Sequence, residues 1–217
     1  MEQLKNIYCL EGMWNDYNLK DKSTIIPMLD LLFKNSYCDY IYHDCATKAE
    51  FEFFITKWAK SLSVSKKFPI IYLACHGKSE KIYLNRQDYI TLDEIADLLA
   101  DKCHGKVFFF ASCSTLSVSK KKIQSFLTKT GAIAAIGYKH EVDWLIATAC
   151  ELLVLEALQK DKFDSRGIEK IRQKIFSDYG NLPKKVVLRM EVNETFHFPR
   201  TRKTNGKHKR PNGAKNS

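Results

Sequence analysis

The sequence predicts a single α/β domain built on a mostly parallel six-stranded sheet with helices on both faces. Three observations predict it. Apolar strand-like runs alternate with amphipathic helical segments from residue 1 to about 195, the order that builds a parallel sheet through crossover helices. The runs "FPIIYLA" (68–74) and "VFFFA" (107–111) are apolar throughout rather than alternating, as suits strands covered on both faces. The 217 residues are 45% hydrophobic and 12% aromatic, enough core for one domain of this length.

Each element follows in order. "NIYCLEG" (6–12) is the first strand and ends at Glu11-Gly12. "STIIPMLDLLFKN" (23–35) reads as a helix with Ser23 as its cap and Pro27 in the first turn, where a missing N–H costs little. "CDYIYHDC" (38–45) is the second strand, with His43 and Asp44 at its end. Thr47 and Glu50 form a capping box that opens a helix running to about Leu62. The third strand is 68–74. In "KIYLNRQDYITL" (81–92) the turn residues Asn85-Arg86-Gln87-Asp88 stand between strand-like flanks and predict a small hairpin. Thr91 and Glu94 form a second capping box. The fourth strand, 107–111, leads to a helix (119–131) closed by Gly131 in left-handed geometry. "AIAAIG" (132–137) is the fifth strand. Asp143 caps a long apolar helix (143–160), a more polar helix follows (164–180), and "KKVVLRMEV" (184–192) is a sixth strand, suited to an edge.

The net charge of +10 is concentrated at one end. Arg200, Arg202, Lys203, Lys207, Lys209, Arg210 and Lys215 supply seven of it, with no acid in the last 18 residues. Residues 196–217 therefore read as a basic, disordered tail, and any nucleic-acid binding is expected through that tail only. It carries no aromatic beyond Phe198, which gives little for base stacking. No apolar run approaches the ~20 residues of a membrane span, and the start lacks the pattern of a signal peptide. The expected compartment is the cytoplasm, with no membrane partner. The seven cysteines, an odd number set largely in apolar runs, read as reduced thiols.

The tetrapeptide Cys-His-Gly-Lys occurs at 75–78 and again at 103–106. Ligands of open α/β sheets sit at the carboxyl ends of the strands. The first copy follows the third strand and falls on that edge. The second ends a helix and falls on the opposite edge. His76 is accordingly the candidate base, and Cys113, leaving the end of the fourth strand in "FFFASCST", the candidate nucleophile. An imidazole beside a cysteine raises its thiolate fraction. The backbone N–H groups of Gly77 and Cys113 are candidate oxyanion donors. Glu11 and Asp44 leave strands at the same edge and, with Glu141 and Asp143, are candidate substrate-binding acids. No metal or cofactor is expected: no Cys-x-x-Cys pair is present and no glycine-rich phosphate loop follows a strand.

With these residues in place the chain resembles the caspase-like cysteine peptidases, and most of all the CHAT peptidase domains of bacteria. The resemblance rests on "YLACHG", on "FFFASCST", and on "TGAIAAIGYKHEVDWLIATACELLVLEAL", where a Gly-Ala strand is followed by an acid-bearing turn and a helix. It implies a caspase-like three-layer sandwich over residues 1 to about 192 and a dyad of His76 and Cys113. It also implies a cleft across the strand ends in which Asp143, the matching acid, reads a basic residue of a peptide while capping its helix. Two departures stand out. The helical repeats or sensor domain that often precede CHAT domains are not in this sequence, and Ser114-Thr115-Leu116 stands where many relatives carry a glycine after the cysteine. The expected function is an intracellular cysteine endopeptidase acting on a protein or peptide substrate, with an activating partner protein and a place in bacterial defence or regulated death. The alternatives are a catalytically inactive caspase-like module for protein–protein interaction and a nucleic-acid-associated protein that binds through its tail.

Overall fold

The computed structural model describes residues 4–18 and 20–196. The basic tail expected at 196–217 lies outside the described residues from 197 onward. The elements are β1 (Ile7–Glu11), α1 (Ile26–Lys34), β2 (Tyr40–Asp44), α2 (Lys48–Lys60), α3 (Leu62–Lys67), β3 (Ile70–Ala74), β4 (His76–Lys78), β5 (Lys81–Tyr83), β6 (Tyr89–Thr91), α4 (Leu92–Leu98), β7 (Val107–Ala111), α5 (Lys120–Thr130), β8 (Ala134–Tyr138), α6 (Trp144–Leu158), α7 (Ser165–Ser177), α8 (Leu182–Lys185) and β9 (Leu188–Val192). Six strands form one sheet in the order β2-β1-β3-β7-β8-β9, parallel except for the antiparallel edge strand β9.

Successive residues of a strand point to opposite faces, and here both faces are apolar. Ile7, Cys9, Ile70, Tyr72, Val107 and Phe109 meet α1, α6 and α7 on one side. Tyr8, Leu10, Ile71, Leu73, Phe108 and Phe110 meet α2, α4 and α5 on the other. Continuous apolar runs are the consequence, and a three-layer sandwich is the result.

The register sets the functional edge. Glu11 lies opposite both Asp44 and Ala74, and Ala74 opposite Ala111. The chain therefore leaves β2, β1, β3 and β7 at one level. Both capping boxes form, Thr47 with Glu50 and Thr91 with Glu94, and Gly131 takes the left-handed conformation at φ 75°.

Local readings differ in four places. Ser23 does not cap α1; its hydroxyl donates to Asp21 (2.9 Å), and the amide of Ile25 at the helix start donates instead to the Glu11 carboxylate (2.8 Å). The helix expected to reach Leu62 breaks at Ser61, whose backbone is extended, and α3 begins anew. The short α8 breaks the segment before β9. The hairpin of β5 and β6 gains a third strand, because His76-Gly77-Lys78 pairs antiparallel with β5. Among the described residues no helix is long and apolar enough to cross a membrane.

Candidate active site

Cys75 turns inward behind β3 and is buried, and its amide donates to the Ala111 carbonyl at the end of β7 (3.4 Å). His76 then opens β4 and faces out. Its Nε2 lies 2.7 Å from the backbone carbonyl of Trp14. A carbonyl can only accept, so Nε2 carries the hydrogen and the neutral ring keeps its lone pair on Nδ1. The Trp14 ring meets the imidazole edge-on, with centroids 5.3 Å apart. Trp14 is itself fixed, its indole N–H donating to Glu11.

Glu11 anchors this arrangement from beneath. It is 2% exposed, and besides the indole its carboxylate accepts from the Ile25 amide (2.8 Å), the Thr24 hydroxyl (2.7 Å) and the Tyr42 hydroxyl (2.7 Å). It stands at the expected edge, but it offers no free charge to a substrate. It ties the start of α1 and the end of β2 to the loop that holds His76.

Beyond β7 the chain turns at Ser112-Cys113-Ser114-Thr115. Ser112 and Thr115 are buried and share a hydrogen bond of 2.8 Å, and Thr115 also donates to the Lys81 carbonyl (3.2 Å). The Ser114 amide donates to His140 (3.2 Å) and the Leu116 amide to Tyr138 (3.1 Å), which clamps the turn to the segment after β8. Ser114 sits at φ 56°, in the left-handed region that glycine enters most readily.

Gly77 brings the two halves together. A Cβ there would stand 2.3 Å from the Cys113 carbonyl oxygen, 2.4 Å from the Thr115 hydroxyl and 2.9 Å from the Ser112 Cβ. Its φ is not positive. Glycine is required because the backbone of β4 lies against the Cys113 turn, not because the chain reverses there.

Of the seven cysteines Cys113 alone is not buried. Burial pushes the thiols of Cys38, Cys45, Cys103 and Cys150 up to about 12, and raises those of Cys9 and Cys75 as well. His76 and Cys113 line one cavity of about 180 Å³, walled mainly by Trp14, Ala74, Ala111, Val142, Trp144 and Ala147. A wider groove of about 680 Å³ continues from His76, Gly77 and Ser114 past Tyr83 and Arg86 to Glu141.

The other sequence candidates are distributed around these two spaces. Glu141 is exposed and lines the groove. Asp143 is exposed and its carboxylate caps α6, accepting from the Ile146 amide (3.0 Å), while its neighbours Val142 and Trp144 line the cavity. Asp44 lies apart from the His–Cys cavity, in a hollow of about 220 Å³ with Glu11, Asp16 and Asp21. Partial burial, and then the charge of Glu11, raise its carboxyl above the ordinary value.

Two features escaped the sequence reading. The Trp14 carbonyl is a backbone atom and has no residue-type signature. Glu151, on α6, is buried on the cavity floor. Its signal was present in the sequence: an acid in the middle of the apolar stretch "ATACELLVL".

These elements define a caspase-like α/β domain with a histidine and a cysteine at neighbouring strand ends. The chain belongs to a family of unknown function, DUF6642, which it matches over residues 4–191. Its fold is similar to that in the crystal structure of the Drosophila initiator caspase Dronc, with a TM-score of 0.56 and 14% identity over 87% of this chain and 79% of that one. At that identity the likeness is one of fold. Comparison with curated proteins gave no match.

Proposed function

We propose that the protein is an intracellular cysteine endopeptidase of the caspase-like class, with Cys113 as nucleophile and His76 as base. One observation carries the reading: adjacent parallel strands deliver His76 and Cys113 into the same cavity, and Cys113 is the one thiol of seven that burial leaves accessible. The Nδ1 lone pair of His76, left free by the bond of Nε2 to Trp14, takes the thiol proton. The thiolate attacks the peptide carbonyl carbon, and the oxyanion that forms is held by the backbone N–H groups of Gly77 and Cys113. Collapse breaks the C–N bond, the imidazolium returns its proton to the leaving amine, and water, deprotonated by His76, then cleaves the thioester. The wider groove lined by Tyr83, Arg86 and Glu141 suits the rest of a peptide.

The narrower assignment to the CHAT type, with an activating partner and a role in bacterial defence or regulated death, is supported by the motifs "YLACHG" and "FFFASCST". The test of the chemistry is thiol labelling of the folded protein with substoichiometric iodoacetamide, mapped by peptide mass spectrometry. Cys113 is expected to label first, and more slowly in His76→Ala. Labelling of Cys113 at the rate of an ordinary exposed thiol, unaffected by His76→Ala, would leave the domain as a non-catalytic interaction module.

A further inference from the structure

The mechanism makes no use of Glu151, yet this buried acid lies on the floor of the cavity that His76 and Cys113 share. Its partners decide what the cavity can receive. Tyr72 on β3 donates to Oε2, and the Tyr138 hydroxyl on β8 lies 2.9 Å from Oε1 and 3.3 Å from the Ala147 carbonyl. A hydroxyl has one hydrogen. With Glu151 protonated on Oε1, that proton goes to the Tyr138 oxygen, the Tyr138 hydrogen goes to the Ala147 carbonyl, and Tyr72 serves Oε2. Every donor then has an acceptor, and the floor asks nothing of an occupant.

The surroundings favour this neutral state. Among the described residues no lysine or arginine lines the cavity. Among the described residues the titratable groups that act on Glu151 or are acted on by it are Tyr72, Tyr138, Cys9 on β1 and Cys150 on its own helix, none of them cationic. Burial, the leading cause, holds the Glu151 carboxyl above its ordinary pKa. A cationic side chain entering here would require a buried acid to ionise, and an acidic one would find no counter-charge. The walls are apolar, and exposed Trp144 extends them to the rim. An apolar cavity of about 150 Å³ suffices to bind benzene, and this one measures about 180 Å³.

We infer that the cavity receives an uncharged, apolar side chain, of leucine to phenylalanine size, from the residue on the acyl side of the scissile bond. The inference rests on the peptidase reading and names its substrate class. It departs from the basic residue that the acid-bearing turn at Asp143 led one to expect.

The test uses peptidyl acyloxymethyl ketones that differ only in that residue: leucine, methionine, phenylalanine, alanine, lysine, arginine and aspartate. Labelling of Cys113 is expected to be about tenfold faster or more for the three large apolar residues than for the charged ones, the range a hydrophobic pocket discriminates. In Ala147→Leu, which fills the cavity from α6, the ratio of leucine to alanine reagents is expected to fall toward one. If that variant does not fold, the ranking on the unmodified protein decides alone. A preference for lysine, arginine or aspartate, or labelling without rank order, overturns this inference and leaves the peptidase reading standing. Failure of every reagent to label Cys113 overturns the peptidase reading, and this inference with it.

Discussion

The same four residues, Cys-His-Gly-Lys, stand at both edges of the central sheet, and their surroundings make them different objects. At 75–78 the histidine is bonded to the Trp14 carbonyl and opens into a cavity shared with Cys113. At 103–106 its counterpart His104 is bonded to Asp101 (2.7 Å) with a side chain 62% exposed, and its ring lies over Gly131 at the end of α5. The glycines differ as well. Gly77 has no room for a Cβ, since the Cys113 turn fills the space. Gly105 has open space around it but sits at φ 67°. One glycine is imposed by a neighbour, the other by its own backbone. Chemistry gathers where parallel strands end together, and a motif acquires a role only from the edge on which it falls.

The largest expected difference between the two edges is in reactivity. His76→Ala is expected to slow alkylation of Cys113 by roughly 100-fold, the low end of what a positioned base contributes, and His104→Ala to leave it unchanged. The six buried thiols provide an internal reference. Burial raises all six above the ordinary thiol value, and they are expected to stay protonated at pH 8 and to label only on unfolding. Equal effects of the two histidine variants would erase the distinction between the edges.

Stability separates the glycines next. Gly77→Ala forces β4 away from the Cys113 turn, and is expected to cost about 1–3 kcal/mol in urea unfolding, as overpacking does, together with loss of fast Cys113 labelling. Gly105→Ala meets no atom; the left-handed backbone costs about 1–2 kcal/mol and lower unfolded-chain entropy returns about 0.5–1 kcal/mol, so a loss of about 0.5 kcal/mol is expected, with Cys113 labelling intact. A Gly77→Ala protein that unfolds and labels like the parent would show that the two strand ends do not touch.

Legibility in the sequence followed the range of the interactions. Strands such as 70–74 and 107–111 were readable because burial on both faces writes itself into consecutive residues, and the capping boxes because their partners lie three residues apart. The position of His76 and Cys113 on one edge followed from strand direction alone. Glu11 was placed at that edge, but its work was hidden, because its partners Trp14, Thr24, Ile25 and Tyr42 lie up to 31 residues away. Strand β4 was hidden for a related reason: His-Gly-Lys has no strand pattern, and it is extended because β5 pairs with it. Glu151 could be seen as an oddity in an apolar helix, but its meaning needed Tyr72 and Tyr138 from two other strands.

The smallest expected effect concerns the residue between these regions. Ser114 adopts φ 56° without being glycine, at a cost of about 1–2 kcal/mol for an L-residue. The turn holds it there from both sides: its amide donates to His140 (3.2 Å) and its carbonyl accepts from Ser117 (2.9 Å). Glycine at 114 would remove the steric cost but add about 0.5–1 kcal/mol of backbone entropy to the unfolded chain. The two nearly cancel, so Ser114→Gly is expected to raise stability by only about 0.5 kcal/mol, about 1–2 °C in Tm for a domain of this size. The sign is the informative part. A rise means that the serine is tolerated because the His140 and Tyr138 carbonyls clamp the turn. A fall in Tm means that the Ser114 side chain itself stabilises the turn that presents Cys113, and a serine in this left-handed position then has a structural reason of its own.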